Sequence, residues 1–184
     1  TNNKSSSNLF LLSTNMDLEI YLPSDEYENI DIDILYEDKD RIIEQLEASA
    51  NSNYINERYK AAINDILKME EFTELSEIWL LCLCKCYLND YDFDNSTKRC
   101  EEWLDKYEYN EEYKDDKIDI YDCLGLCLYL QKNREKSILY FQKALNEYNI
   151  TEGQKEFASY YIAEQFYDIE DWHNAGIYYR ICMC

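Results

Sequence analysis

A chain of 184 residues with 46% apolar side chains can bury one core of useful size, which excludes disorder throughout. With three Gly and one Pro, turns and phosphate-cradling loops that need positive φ are hard to build, so long helices with short polar connections are expected. A formal net charge of −21, from 39 acidic against 18 basic residues, opposes contact with nucleic-acid phosphates or an anionic membrane and favours a basic partner.

Residues 1 to 8 (TNNKSSSN) are polar and of low complexity, with nothing to bury, and are expected to be mobile unless held. Two short apolar patches follow, Leu9 to Leu12 and then Leu18, Ile20 and Leu22, the second alternating before Pro23 as an extended segment does. A small strand and an extended arm lying on the helices both fit. The acidic stretch 24–37 alternates Ile30, Ile32 and Ile34 with Asp31 and Asp33, so residues 1–37 read as a polar and acidic N-terminal arm. Asn8 to Leu12 is too short for a signal core, no apolar run is long enough to span a bilayer, and the start at Thr1 leaves a removed leader open.

From about Lys39 the pattern becomes paired amphipathic helices. The clearest unit begins at Ile118. Tyr121, Leu124, Gly125 and Leu128 fall on a first helix, a polar turn follows at Lys132 to Arg134, and Ser137, Phe141 and Ala144 fall on a second. Bulky residues at the fourth, seventh, eleventh and twenty-fourth positions, with small ones at the eighth, twentieth and twenty-seventh, let two helices cross closely. The same template fits from Glu77 (Leu80, Leu83, Cys84, Tyr87, then Ser96, Cys100, Trp103) and from Glu156 (Ser159, Ile162, Ala163, Phe166, then Ala175, Tyr179, Cys182). A weaker copy starts at Ile43, with Leu46 and Ala50, then Tyr59, Ala62, Ile66 and Met69; its first helix is expected to end early, at Asn51 to Asn53. Inserts near Glu111 to Lys117 and Ile150 to Gly153 read as longer loops.

These units resemble the tetratricopeptide repeat (TPR), a 34-residue helix-turn-helix unit, with divergent copies near 43–76, 77–110, 118–151 and 156–184. The resemblance implies an all-α fold: a right-handed superhelical stack of antiparallel helix pairs over 38–184, preceded by the extended arm. It also implies a concave groove lined by the first helix of each unit. Carried over by position, the groove residues are Ile78, Leu81, Lys85, Leu88 and Asn89, then Asp119, Asp122, Leu126, Tyr129 and Leu130, then Phe157, Tyr160, Glu164, Tyr167 and Asp168. Lys85 stands nearly alone among them as a cation, which argues against a ligand recognised by its terminal carboxylate. A basic or mixed basic and apolar protein segment matches in sign and shape.

Eight Cys point at first to a secreted disulfide module, but Cys82, Cys84 and Cys86 read as one helix and Cys123 and Cys127 as another. One helix rarely crosslinks itself. Free thiols acting as small packing residues are expected, and with them a reducing, cytoplasmic location. Asp90, Asp92, Asp94 and Glu101 imitate the spacing of a calcium loop, yet Asn95 stands where Gly is wanted; Phe93 packed inward and Ser96 opening the next helix, as a cap or small contact, explain the segment as a turn. His173 is the single histidine, and no nucleophile or phosphate motif appears. The expectation is a non-catalytic interaction scaffold without cofactor or metal. Self-assembly through an uncapped C-terminal repeat is the alternative, and a calcium-responsive binder the less favoured one.

Overall fold

The computed structural model describes the backbone of residues 32–183 and the side chains of 38–183. The expectations placed on the polar start and on the apolar patches before Pro23 lie outside the described residues. Eight helices follow in order: α1 (Ile32–Ile55), α2 (Tyr59–Glu70), α3 (Glu77–Asn89), α4 (Phe93–Tyr107), α5 (Lys114–Leu130), α6 (Arg134–Leu145), α7 (Glu152–Tyr167) and α8 (Trp172–Cys182), with a short 3-10 turn at Glu111–Tyr113. Among the described residues there is no strand.

Each odd-numbered helix packs antiparallel against the even-numbered helix after it, and each even-numbered helix against the next odd one. In addition α3 packs on α5 and α5 on α7, so the first helices of successive hairpins form one layer and the second helices another. This is an all-α solenoid, in which each hairpin buries its apolar face on its neighbours.

Local chemistry explains why the hairpins are alike. Each reverses at one residue of left-handed backbone: Glu57 (φ 59°), Tyr91 (φ 63°), Lys132 (φ 65°) and Glu170 (φ 60°). The N–H of the following residue reaches back to a carbonyl of the first helix, Arg58 to Asn53, Asp92 to Tyr87, Asn133 to Leu128 and Asp171 to Phe166. That is the Schellman closure, which satisfies the last carbonyls of a helix and usually places Gly at the left-handed position. The expectation that scarce glycine makes positive-φ turns hard to build is thus corrected. Four non-glycine residues adopt the conformation because the paired helices and these hydrogen bonds fix it.

The small-residue positions are where the helices cross. Ala50, Cys84, Gly125 and Ala163 on the first helices, and Ala62, Ser96, Ser137 and Ala175 on the second, are all buried. In the middle hairpins the hydroxyls use the contact: Ser96 Oγ donates to the Cys84 carbonyl at 2.9 Å and Ser137 Oγ to the Gly125 carbonyl at 2.8 Å. The twenty-seventh position is not uniformly small. Met69 and Trp103 occupy it fully buried, and the Trp103 indole donates to the Glu77 carbonyl at 3.2 Å.

Other details differ from expectation. α1 begins at Ile32, inside the segment read as an arm; an Ile-Asp alternation so short does not outweigh the helix-forming run that continues from it. α1 also runs past Asn53 to Ile55. Its asparagines do not break it, because Asn53 Nδ2 and Ser49 Oγ both donate to Asp65 of α2, at 2.9 and 2.7 Å. The inserts are largely helical: α5 starts at Lys114, and α7 starts at Glu152 behind a capping box in which Thr151 and Gln154 satisfy each other's backbone N–H. Ser96 is not a cap. Asp92 fills that role, accepting from the Asn95 N–H at 3.2 Å, while Phe93 is half-buried against the core.

Candidate binding face

Two hollows open on the layer of first helices. The larger, about 640 Å³, is lined by Glu44, Glu47, Ala48, Asn51 and Tyr54 of α1 and by Ile78, Trp79, Leu81, Cys82 and Lys85 of α3. Its floor is apolar: Leu81 is buried, while Ile78 on the rim is 62% exposed. Trp79 donates from its indole to Glu47 at 2.9 Å and so ties the two walls together.

The smaller hollow, about 270 Å³, lies where three hairpins meet. Lys85 and Leu88 of α3, Asp119, Asp122, Cys123 and Leu126 of α5, and Gly153, Gln154 and Phe157 of α7 line it. Helical spacing aligns its two acids, Asp119 and Asp122, and Asp116 lies one turn before them on the same face of α5. Lys85 Nζ meets Asp119 Oδ2 at 2.7 Å, and Gln154 Nε2 meets Asp119 Oδ1 at 2.9 Å. Asp122 Oδ1 is buried without a hydrogen-bond partner. Burial, reinforced by repulsion from Asp119 and opposed by Lys85, pushes the Asp122 carboxyl up to about 7. Asp116 is raised for the same two reasons.

Of the residues expected in the groove, Ile78, Leu81 and Lys85 line the larger hollow, and Lys85, Leu88, Asp119, Asp122, Leu126 and Phe157 the smaller. The others line neither. Asn89 is exposed and donates to the Lys85 carbonyl. Tyr129 packs edge-on against Tyr161, its ring centre 5.1 Å away, and Leu130 is exposed beside it. Tyr160 also meets Tyr161, Glu164 accepts from the Tyr179 hydroxyl, Tyr167 packs edge-on against Trp172, and Asp168 closes α7. These contacts cover the rings only in part, since Tyr160, Tyr167 and Trp172 all remain exposed.

Residues that the sequence reading left out complete the face. Glu44, Glu47, Asn51 and Tyr54 occupy, in the weak first unit, the same template positions that gave Ile78, Leu81, Lys85 and Leu88 in the second. Extending the template to the copy starting at Ile43 would have found them. Gly153 and Gln154 belong to the extra turn of α7 that read as a loop.

The remaining candidate chemistry is dispersed. Among the described residues no group of three His, Cys, Asp or Glu side chains converges to hold a metal. Within the calcium-like segment Asp92 caps α4, Asp94 accepts from Gln131 at 2.7 Å, and Glu101 is exposed farther along α4. His173 is exposed at the start of α8. Cys84, Cys86, Cys100, Cys123 and Cys127 are buried free thiols, whereas Cys82 and Cys182 are only half-buried.

No protein-family model matches the chain, and no curated protein does. Among solved structures, one titled MamA MSR-1 C2 is similar at 13% identity and a TM-score of 0.35, covering 76% of this chain and 94% of that one. A likeness of that order bears on neither family nor function, and the helical-hairpin architecture rests on the contacts described above. Among the described residues no helix is long and apolar enough to cross a membrane.

Proposed function

We propose that the chain is a divergent TPR-type scaffold that holds a protein segment along the face formed by α1, α3, α5 and α7. The observation that carries this reading is that every side chain around both hollows comes from a first helix, with apolar floors and carboxylates at Glu44, Glu47, Asp119 and Asp122. A concave apolar surface with a few polar groups is the usual form of a recognition site. Its acidic sign favours an extended or helical segment carrying Lys or Arg among aliphatic residues.

The test is fluorescence anisotropy with synthetic basic-aliphatic peptides. Wild type should bind in a salt-sensitive manner, and Ile78→Ala with Glu44→Lys should weaken binding about tenfold or more at unchanged melting temperature. Equal binding by the variant would rule out this face.

Self-assembly through the last hairpin is the second reading. It draws on α8, which fully buries Ala175 alone among its described side chains, and on the exposure of Ile169 and Trp172. A concentration-independent monomer in light scattering would dismiss it.

A further inference from the structure

The smaller hollow carries bonding capacity that the protein itself leaves unused. Asp119 accepts from Lys85 on one oxygen and from Gln154 on the other. Asp122, one turn along the same face, lines the hollow with one oxygen buried and unpartnered, so its carboxylate meets the hollow through the other, and the nearby cation, Lys85, is already engaged. A carboxylate desolvated without a donor is unfavourable, and an incoming donor relieves that.

What such a donor must look like follows from the lining. Leu88, Leu126 and Phe157 come from three different helices and give the hollow apolar walls. Asp119 and Asp122 against the single Lys85 make its local field negative, so the donor is a cation on an aliphatic stem. With one oxygen of Asp122 buried, the carboxylate offers a point contact and not the two open oxygens that a guanidinium fork takes.

We propose that the hollow between α3, α5 and α7 is a subsite for a lysine side chain of the bound segment, its stem against Leu88, Leu126 and Phe157 and its ammonium on Asp122. This rests on the reading of the first-helix face as the binding surface and specifies what one point on that face selects. Register follows from it, because a lysine seated here fixes which residues of the segment reach the hollow between α1 and α3.

The test is a positional-scanning peptide library with one residue fixed in turn as Lys, Arg, norleucine or Glu, measured by anisotropy on the full chain. At one position Lys should exceed norleucine by about tenfold or more, and exceed Arg. Asp122→Asn, which keeps the side-chain shape, should erase that preference while apolar-dependent binding persists. Peptide binding in which Lys gains nothing over norleucine, or in which Arg does as well, overturns the lysine subsite. So does a preference that survives Asp122→Asn. In each of these cases the face itself stands if Ile78→Ala still weakens binding. No peptide binding at all overturns both readings. A second measurement needs no variant: titration with n-butylammonium chloride should shift the Asp122 carboxyl carbon resonance more than sodium chloride does, and an unmoved resonance overturns the subsite.

Discussion

A β-carbon built on Gly125 would lie 2.9 Å from the ring of Phe141, closer than non-bonded carbons pack. Phe141 is itself fully buried and stacked on Tyr161 at 5.6 Å with the rings nearly parallel, so it has nowhere to retreat. Gly125→Ala should therefore lower stability by about 1–3 kcal/mol in chemical denaturation. Gly176→Ala is the control. A β-carbon there meets nothing within 4 Å, and the change should raise helix stability by up to about 1 kcal/mol.

Lys132 holds the left-handed turn of the third hairpin with its side chain exposed. Replacing it by Gly removes the clash between Cβ and backbone in that conformation and keeps the Schellman hydrogen bonds. Lys132→Gly should raise stability in chemical denaturation by roughly 0.5–1 kcal/mol, and Lys132→Val should lower it.

Folding raises the Asp122 carboxyl from the ordinary Asp value to about 7, so the folded state retains a proton that the unfolded chain releases. The charged groups facing it are Lys85 from α3 and Asp119 from α5; Cys123 is the neighbouring thiol, and α7 contributes uncharged Gln154 and Phe157. The neutral form's contribution to stability is whole below about pH 4, declines as pH rises towards 7, and is gone above it. Relative to wild type, Asp122→Asn should gain little at pH 4 and up to roughly 2–4 kcal/mol at pH 8, read from paired denaturation curves.

Arg99 of α4 forms a two-pronged contact with Glu70 of α2, both distances 2.6 Å, and a third bond to Glu102 at 2.8 Å. It joins the second hairpin to the first. Arg99→Ala leaves Glu70 unpaired, while Glu102 keeps Lys106, and should weaken that join by about 1–3 kcal/mol. Amide exchange should then quicken across α1 and α2 while α5 to α8 keep their protection.

Cys82 lines the larger hollow, and a hydrogen bond from Cys86 lowers its thiol while raising that of Cys86. Native alkylation should modify Cys82 and Cys182 well before the buried thiols at 84, 86, 100, 123 and 127. A segment seated between α1 and α3 should protect Cys82 and leave Cys182 unaffected, an outcome readable by peptide mass spectrometry.

The repeat was legible because its signal is steric. Gly125 and Phe141, or Cys84 and Ser96, are compact or bulky where two helices must cross, and that constraint recurs in step along the chain. The first-helix face was half legible. Template positions found Lys85, Asp119 and Asp122, but they could not show that Lys85 and Asp119 neutralise each other or that Asp122 is left over, since both depend on the spacing of neighbouring helices. Tyr129 and Tyr167 share the same pattern yet turn to Tyr161 and Trp172, because the large rings find apolar partners close by. The turns misled most: Glu57, Tyr91, Lys132 and Glu170 carry no residue-type signature of left-handed backbone.

Because, among the described residues, each hairpin leans chiefly on those adjacent to it, tension applied at α1 and α8 meets no long-range crosslink there to oppose it. The molecule is therefore a spring in series. Gentle pulling would be taken up as small hinge angles between hairpins, widening or narrowing the spaces between α1, α3, α5 and α7, and stronger pulling would release the hairpins singly. Under the proposed function, the hold on a bound segment and the stretch of the solenoid are then mechanically linked.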